Sequence, residues 1–342
     1  MLKKKILKDT DFLYISTRLN ASEKDAVTGD KLTRLIDASD FDEAYGYVCE
    51  MYGVQPEVYG ADYGKLLSEQ LTNAYAFAAE LIESIIDFDE KPYYLLDMFR
   101  YVYDCQNLKA AIKCEALGKE PASMLCDNGT VSADKVAYCV NSRDFSAFPK
   151  NMAEAAPLAA EQLAATGDPQ EVDLILDRAA FKDMEESAKG SGLEYLEKLI
   201  SAKTDSVNII SALRCIKQKK SRQYMQKLYV SGGTLDEDFF VSNYDESISK
   251  LISALAFTEY SAVSKYAEQQ QNDIDSADAE KLCSEVYLKK AYSAASKPFG
   301  AELLVCYIVR KEYEIRNLRV ILAGKACGLG AEKIKERLMM DA

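Results

Sequence analysis

An acidic residue followed three positions later by asparagine occurs at the same phase of three apolar helical patterns: Asp104 with Asn107, Asp205 with Asn208, and Glu314 with Asn317. Residues three apart share a helix face, so each pair presents a carboxylate and a carboxamide side by side. Such a pair can hold main-chain donors and acceptors or orient a neighbouring helix. It could do acid–base chemistry only with a suitable partner. The chain contains no histidine. That removes imidazole bases, Ser-His and Cys-His nucleophiles, and every histidine metal site. The nine cysteines, at 49, 105, 114, 126, 139, 215, 283, 306 and 327, are odd in number and form no CxxC. They read as small apolar core residues of a reduced chain, not as a disulfide framework or zinc site. No GxxxxGK[ST] loop occurs, and Gly328-Leu329-Gly330 lacks a preceding strand, so it reads as a helix cap. Lys189-Gly190-Ser191-Gly192 reads as a connector rather than an anion nest. Carboxylate pairs such as Glu185-Glu186 and Asp236 with Asp238 carry no weight in a chain with 55 acidic residues. We expect no catalytic, cofactor-binding or metal-binding residues.

The elements that carry the three pairs are long amphipathic helices. FRYVYDCQNLKAAIK, ISAKTDSVNIISALR and VRKEYEIRNLRVILA align without gaps on the asparagine. Apolar residues fill the columns one, four and five after it: Leu108/Ile209/Leu318, Ala111/Ala212/Ile321 and Ile112/Leu213/Leu322. The columns eight and twelve before it are also apolar, as Phe99/Ile200/Val309 and Leu95/Leu196/Val305. Helical spacing continues elsewhere, as in Leu66, Leu67, Leu71, Tyr75, Ala78, Leu81, Ile82 and Ile85. No sustained two-residue alternation appears, and Asn128-Gly129 is the sole hairpin candidate. The spacing therefore predicts an all-α chain. Helix starts are expected at Asp168-Pro169, and at capping boxes of Ser39 with Asp42 and Thr234 with Glu237. Breaks are expected at Asp89–Pro92, Gly118–Pro121, Lys189–Gly192, Gly232–Gly233 and Lys297–Gly300.

A second motif recurs between the long helices: a glycine, a short helix, a polar turn and another helix start. Its copies begin at Thr28, Asn128, Gly232 and Gly328. The order of cassettes and long helices implies three quasi-equivalent units. We place them at 1-140, 141-240 and 241-342, with the N-terminal half-unit packing against the third.

Charge limits the partners. The 42 basic and 55 acidic residues give a net charge of −13. Such a body is unsuited to nucleic acid or to direct docking on anionic headgroups. No apolar run is long enough to span a bilayer, and Lys8, Asp9 and Asp11 interrupt the opening MLKKKILKDTDFLYI as a signal peptide. The strongest basic patch is Lys217, Lys219, Lys220 and Arg222, near Tyr224 and Tyr229. It reads as a solvated helix face, or secondarily as a partner contact. Arg100 with Tyr103 and Arg310 with Tyr313 read as helix surface, and Arg100 and Arg310 are also candidate partner contacts.

The segment FGAELLVCYIVRKEYEIRNLRVILAGKACGLGAEKIKERL, residues 299 to 338, resembles the C-terminal signature of the C subunit of the archaeal and bacterial V-type (A/V-type) ATPase, whose eukaryotic relative is the d subunit of the vacuolar ATPase. Its core is Glu314, Asn317, Leu318 and Arg319, followed by Gly324-Lys325. The closing helix matches loosely, the cassette from Tyr14 to Tyr47 resembles the family's opening, and the middle third retains only Asp205 and Asn208. The resemblance implies a non-catalytic rotor part, an all-helical funnel of three similar domains about a pseudo-threefold axis. It implies that the partners are central-stalk subunits and the membrane rotor ring, with cytoplasmic location and indirect membrane contact. It also implies that Arg100 and Arg310 could line the stalk socket, with the acidic excess meeting basic ring loops or stalk residues. The other readings are a cytosolic helical-repeat scaffold with unrelated partners and, last, an enzyme using carboxylates or lysine.

Overall fold

The computed structural model describes residues 7–22, 26–27, 29–58, 60, 62–86, 90–244, 247–270 and 274–339. Among these residues the fold is all-helical, with no strand. Asn128-Gly129 belongs to a turn between helices. Asp89 and Thr28, expected at a break and at a cassette start, lie outside the described residues.

The chain forms two compact units, one of residues 1–96 with 291–342 and one of residues 97–290. The first contains α1 (Leu13–Ser22), α2 (Gly29–Asp37), α3 (Phe41–Tyr52), α4 (Tyr63–Glu83), α15 (Ala301–Ala326) and α16 (Ala331–Arg337). Helix α15 is its axis, packing against α1, α2, α3, α4 and α16. Its buried residues include Leu304, Val305, Ile308, Val309, Leu318, Ile321 and Leu322, which surround the helix rather than forming one stripe. A helix apolar on most sides is stable only inside other helices. Helix α4 instead buries a single face, from Leu66 and Leu67 through Leu71, Tyr75 and Ala78 to Ile82. Each such aliphatic side chain contributes about 1.5–3 kcal/mol by leaving water. At Gly324 the Ile334 side chain of α16 lies so close that a Cβ would stand 2.8 Å from its Cγ1.

The second unit contains α7 (Lys150–Thr166), α8 (Pro169–Ser191), α9 (Glu194–Lys217) and all but the first three residues of α5 (Tyr94–Ala116) and the last two of α14 (Ser276–Tyr292), which belong to the first. Shorter helices lie between them: α6 (Ala133–Ser142), α10 (Arg222–Leu228), α11 (Glu237–Asn243), α12 (Ser249–Leu255) and α13 (Ser261–Gln269). One core gathers Leu108, Ile112, Val136, Met152, Val172 and Leu176 from α5 to α8. A second gathers Ile209, Leu213, Phe240, Leu251, Tyr260 and Cys283 from α9 to α14.

Capping residues set the helix ends. Asp168 accepts from the Gln170 N–H before Pro169, as the sequence predicts. The other two capping boxes differ from expectation. Asp40, not Ser39, caps α3 through the Glu43 N–H, and Glu43 reaches back to the Ser39 N–H. Asp236, not Thr234, caps α11 through the Phe239 N–H, which leaves the Thr234 hydroxyl available to another partner. The expected connector at Lys189–Gly192 is the last turn of α8, closed by Gly192 at φ 70°. Of the cysteines, Cys126 is half-buried and Cys327 exposed; the other seven are buried.

The start of α7 has no cap of its own, since Pro149 stands there. Asp183 of α8 does that work across the helix pair. Its carboxylate accepts from the main-chain N–H of Asn151 and of Met152, both at 2.9 Å, and from Asn151 Nδ2 at 2.7 Å. Burial pushes the Asp183 carboxyl up, against these three bonds. Asp183→Ala should therefore lower unfolding free energy by about 2 kcal/mol. Urea denaturation measures this; a loss below about 0.5 kcal/mol, the level of a surface change, would count against the cross-helix cap.

Candidate functional site

The six residues of the acid-x-x-asparagine pairs are all buried, at 0–5% exposure. A carboxylate and a carboxamide on a core-facing helix surface need hydrogen-bond partners. Each asparagine finds them in the main chain about twenty residues downstream, and each acid in one main-chain N–H together with neighbouring side chains.

On α5, Asn107 pairs with the backbone of Cys126: its Nδ2 donates to the carbonyl at 2.7 Å and its Oδ1 accepts from the N–H at 3.0 Å. One helical turn earlier, Asp104 Oδ1 accepts from the Val131 N–H at 3.1 Å, and Oδ2 from the Thr130 hydroxyl at 2.6 Å. Gly129 lies directly against the carboxylate, where a Cβ would overlap Asp104 Oδ1. On α9 the arrangement repeats. Asn208 pairs with the Val230 carbonyl and N–H at 2.8 and 3.0 Å, Asp205 accepts from the Leu235 N–H at 2.9 Å and the Thr234 hydroxyl at 2.5 Å, and Gly233 stands where Gly129 does.

On α15 the same clamp is assembled from two distant segments. Asn317 pairs with the backbone of Met339, its Oδ1 accepting from the N–H at 3.1 Å and its Nδ2 donating to the carbonyl at 3.4 Å. Glu314 accepts from the Val27 N–H at 3.4 Å, from the Tyr52 hydroxyl at 3.1 Å, and from Lys311 Nζ at 3.0 Å. Val27 thus fills the place of Val131 and Leu235. The longer glutamate and its lysine serve where the turn threonine serves in the other two. This register corrects two sequence alignments. Gly29 opens α2 and is not the turn glycine. The copy starting at Gly328 corresponds to the helix end preceding each turn, as Gly118 does after α5, and not to the turn itself.

The helix ends repeat as well. Eleven residues past each asparagine the backbone turns left-handed, at Gly118 (φ 63°), Lys219 (φ 54°) and Gly328 (φ 67°). The next N–H returns to the helix in each case: Lys119 to Cys114, Lys220 to Cys215 and Leu329 to Gly324.

The candidate partner-contact residues fall in different settings. Arg100 donates through Nε to the Asn128 carbonyl at 3.1 Å and through a second nitrogen to the Gly129 carbonyl, holding the turn from its other side. Arg310 is half-buried, and its charge acts on the Tyr292 hydroxyl. Lys217, Lys219, Lys220 and Arg222 do not form a helix face: they span the end of α9 and the start of α10, and all four are exposed. Lys220 Nζ lies 5.1 Å from the Tyr224 ring centre, and Arg222 donates to the Tyr244 carbonyl at 2.9 Å. Sequence reasoning gives Gly129, Gly233 and Thr234 other roles, as hairpin candidate, break and helix cap, and does not single out Thr130, Val131 or Leu235. The shared Gly-Thr-apolar run before a helix cap is the available signal.

The electrostatics are those of structural carboxylates. Burial raises the pKa of Asp104 and Asp205, opposed by their threonine hydroxyls and main-chain N–H groups. Tyr260 donates to Asp205 Oδ2 at 3.2 Å, and burial with that carboxylate drives the phenol strongly upward. Burial also raises Asp97 to about 6, outweighing nearby Arg100, while Asp104 adds to the rise. Among the described residues no three Cys, Asp or Glu side chains gather as metal ligands.

The clamps sit within a chain of recognisable kinship. The chain is 23% identical over 332 residues to the C subunit of the V-type sodium ATPase of Enterococcus hirae, covering 96% of this chain and 98% of that one. It is 25% identical over 356 residues to the C subunit of the A-type ATP synthase of Desulfurococcus sp., covering 97% and 91%. Against the C subunit of the V-type ATP synthase of Thermus thermophilus the identity is 22% over 244 residues, covering 69% and 71%.

Substitution and pH both test the clamp geometry. Gly129→Ala and Gly233→Ala force a methyl group against a buried carboxylate and should each cost more than about 2 kcal/mol. Gly46→Ala, in the open middle of α3, should gain about 0.5–1 kcal/mol. Equal effects at all three positions, measured by chemical denaturation, would contradict the clamp. Asp97 binds its proton more tightly when the chain is folded, so its contribution to stability is full below pH of about 4 and is lost as pH rises through about 6. Asp97→Asn should flatten the stability profile in that window, and an unchanged slope would contradict the assignment.

The model of the ATP synthase (C/AC39) subunit family matches residues 5–337, nearly the whole chain, with all three acid-x-x-asparagine pairs inside the match, and the chain belongs to that family.

Proposed function

We propose that the chain is the non-catalytic adaptor of a rotary V/A-type ATPase, joining the central stalk to the membrane rotor ring. The observation that carries the reading is the threefold clamp in a chain of this family. Three helices tied by the same bonds to the same kind of turn support three like modules, 1-140, 141-240 and 241-342, with the N-terminal segment completing the third. Modules of that kind arranged about one axis would form a funnel with a socket for a shaft.

The physics of such a part agrees with the chain's construction. A torque-bearing element must resist shear, and close-packed helices with fixed turns do so better than loops. The buried pairs fasten each turn to a long helix, so a load on the turn passes directly into the core. No described helix is long and apolar enough to cross a membrane. Membrane association would then come through the rotor ring, with the adaptor on the cytoplasmic side. One relative is named a subunit of a sodium ATPase and others of ATP synthases, and on this reading the assembly would couple ATP hydrolysis or synthesis to movement of protons or sodium ions. Arg100, on α5, and Arg310, half-buried on α15, are the candidate socket residues.

Co-purification from the native source tests the proposal. Tagged chain should recover central-stalk and ring subunits, and the isolated chain should not hydrolyse ATP. The acidic excess makes ring association salt-sensitive, so recovery should fall as salt is raised from about 50 to 500 mM. Recovery of unrelated proteins instead would favour a general helical scaffold and sink the adaptor reading.

A further inference from the structure

The left-handed residue that ends each clamp helix is glycine in two cases and lysine in one. Gly118 and Gly328 adopt this conformation without a Cβ penalty, whereas Lys219 adopts it at φ 54° against that penalty. The helix closes the same way in all three, with the same return bond, so the fold does not need a side chain there. A residue held in a disfavoured conformation where its structural equivalents are glycine points to a use for its side chain.

The surroundings say what use. From Ser206 to Leu235 there is no aspartate or glutamate in a chain that has 55 of them. The same stretch carries Arg214, Lys217, Lys219, Lys220, Arg222 and Lys227. On other helices, Glu280 lies 3.8 Å from Arg214 and Glu171 lies 4.0 Å from Lys227. Lys217, Lys219 and Lys220 stand exposed at the turn itself, flanked by exposed Gln218, Ser221 and Gln223. The equivalent turns are not basic in this way: they read Leu117-Gly118-Lys119-Glu120 after α5 and Cys327-Gly328-Leu329-Gly330 after α15.

We propose that the turn between α9 and α10 is a docking surface for an acidic segment of a partner protein, with Lys217, Lys219 and Lys220 as its contact residues. The proposal deepens the adaptor reading and takes from it only that the chain assembles with other proteins. A protein segment fits better than the other polyanions. A membrane would present its negative surface to the whole chain, whose remainder is more acidic still, and the turn offers no apolar side chain to insert. Single-stranded nucleic acid calls for open aromatic faces. The nearest ring, Tyr224, is half-buried, faces Lys220 and donates its hydroxyl to Gln170 at 3.0 Å. An acidic peptide can meet three lysines locally without bringing a large charged surface against the body.

The test uses the full chain, a labelled poly-glutamate peptide, phosphatidylserine vesicles and duplex DNA, with fluorescence anisotropy or co-sedimentation at low salt. Lys219→Gly removes the charge while relaxing the backbone. It should raise the thermal midpoint by about 1–3 °C and weaken peptide binding about two- to fivefold. A stabler protein that binds less well is a combination that a purely structural lysine would not give. The K217E/K219E/K220E variant should lose about tenfold or more in peptide affinity. The proposal is overturned if the wild type does not bind the peptide, if the variants bind it equally well, or if vesicles or DNA bind more tightly than the peptide. Co-purification keeps the two readings apart. Failure of the wild type to recover stalk or ring subunits removes the adaptor and leaves the peptide result intact. Normal recovery with equal peptide binding by all variants removes only the docking surface.

Discussion

A buried carboxylate and a buried carboxamide on an otherwise apolar helix are the constraint from which much of the structure follows. Neither group can leave water without partners, and a lost partner costs far more than a made bond gains. The asparagine is satisfied by the N–H and the C=O of one residue, which fixes the backbone's orientation at that residue. The acid is satisfied by an N–H and by a hydroxyl, ammonium or phenol. Two bonds from the asparagine and at least two to the acid leave the turn little freedom. The glycine beneath the carboxylate, in the two continuous clamps, is a steric consequence of that closeness.

The three clamps share their main-chain bonds and differ in what surrounds the acid. Around Asp104 it is Thr130, with Arg100 gripping the turn carbonyls; around Asp205, Thr234 and Tyr260; around Glu314, Lys311 and Tyr52. A main-chain pairing dictates only the presence of an acid and an amide at fixed spacing. The rest of the shell can vary, provided every oxygen is satisfied. This explains why the asparagine column is legible across the chain while the neighbouring residues diverge.

The long helices are legible in the sequence because their apolar spacing is strong and breakers are few. Glycine or proline marks most of their ends. The pairs are visible as a spacing, but their partners are not, because a main-chain N–H has no residue signature. Thr234 reads as a helix cap for the same reason: a hydroxyl three residues before an acid fits a capping box, and only the fold shows that it turns instead to Asp205. The basic run reads as a helix face because nothing in Lys217 to Arg222 announces a break. A lysine in a left-handed cap carries no warning, whereas Gly118 and Gly328 do. The third clamp is the hardest to see, since its halves lie at Val27 and Met339, far apart in sequence.

That separation has a consequence for biosynthesis. The unit around α15 takes its first 96 residues early and its axis only after residue 290, with the second unit translated in between. At roughly 5–20 residues per second, the early helices wait on the order of 10–40 s for the helix they enclose. During that interval the apolar face of α4, from Leu66 to Ile82, has no α15 to cover it. The intervening residues can meanwhile reach their own compact form. The nascent chain is thus most exposed to chaperones and to aggregation at its beginning, and the ribosome finishes the first unit last.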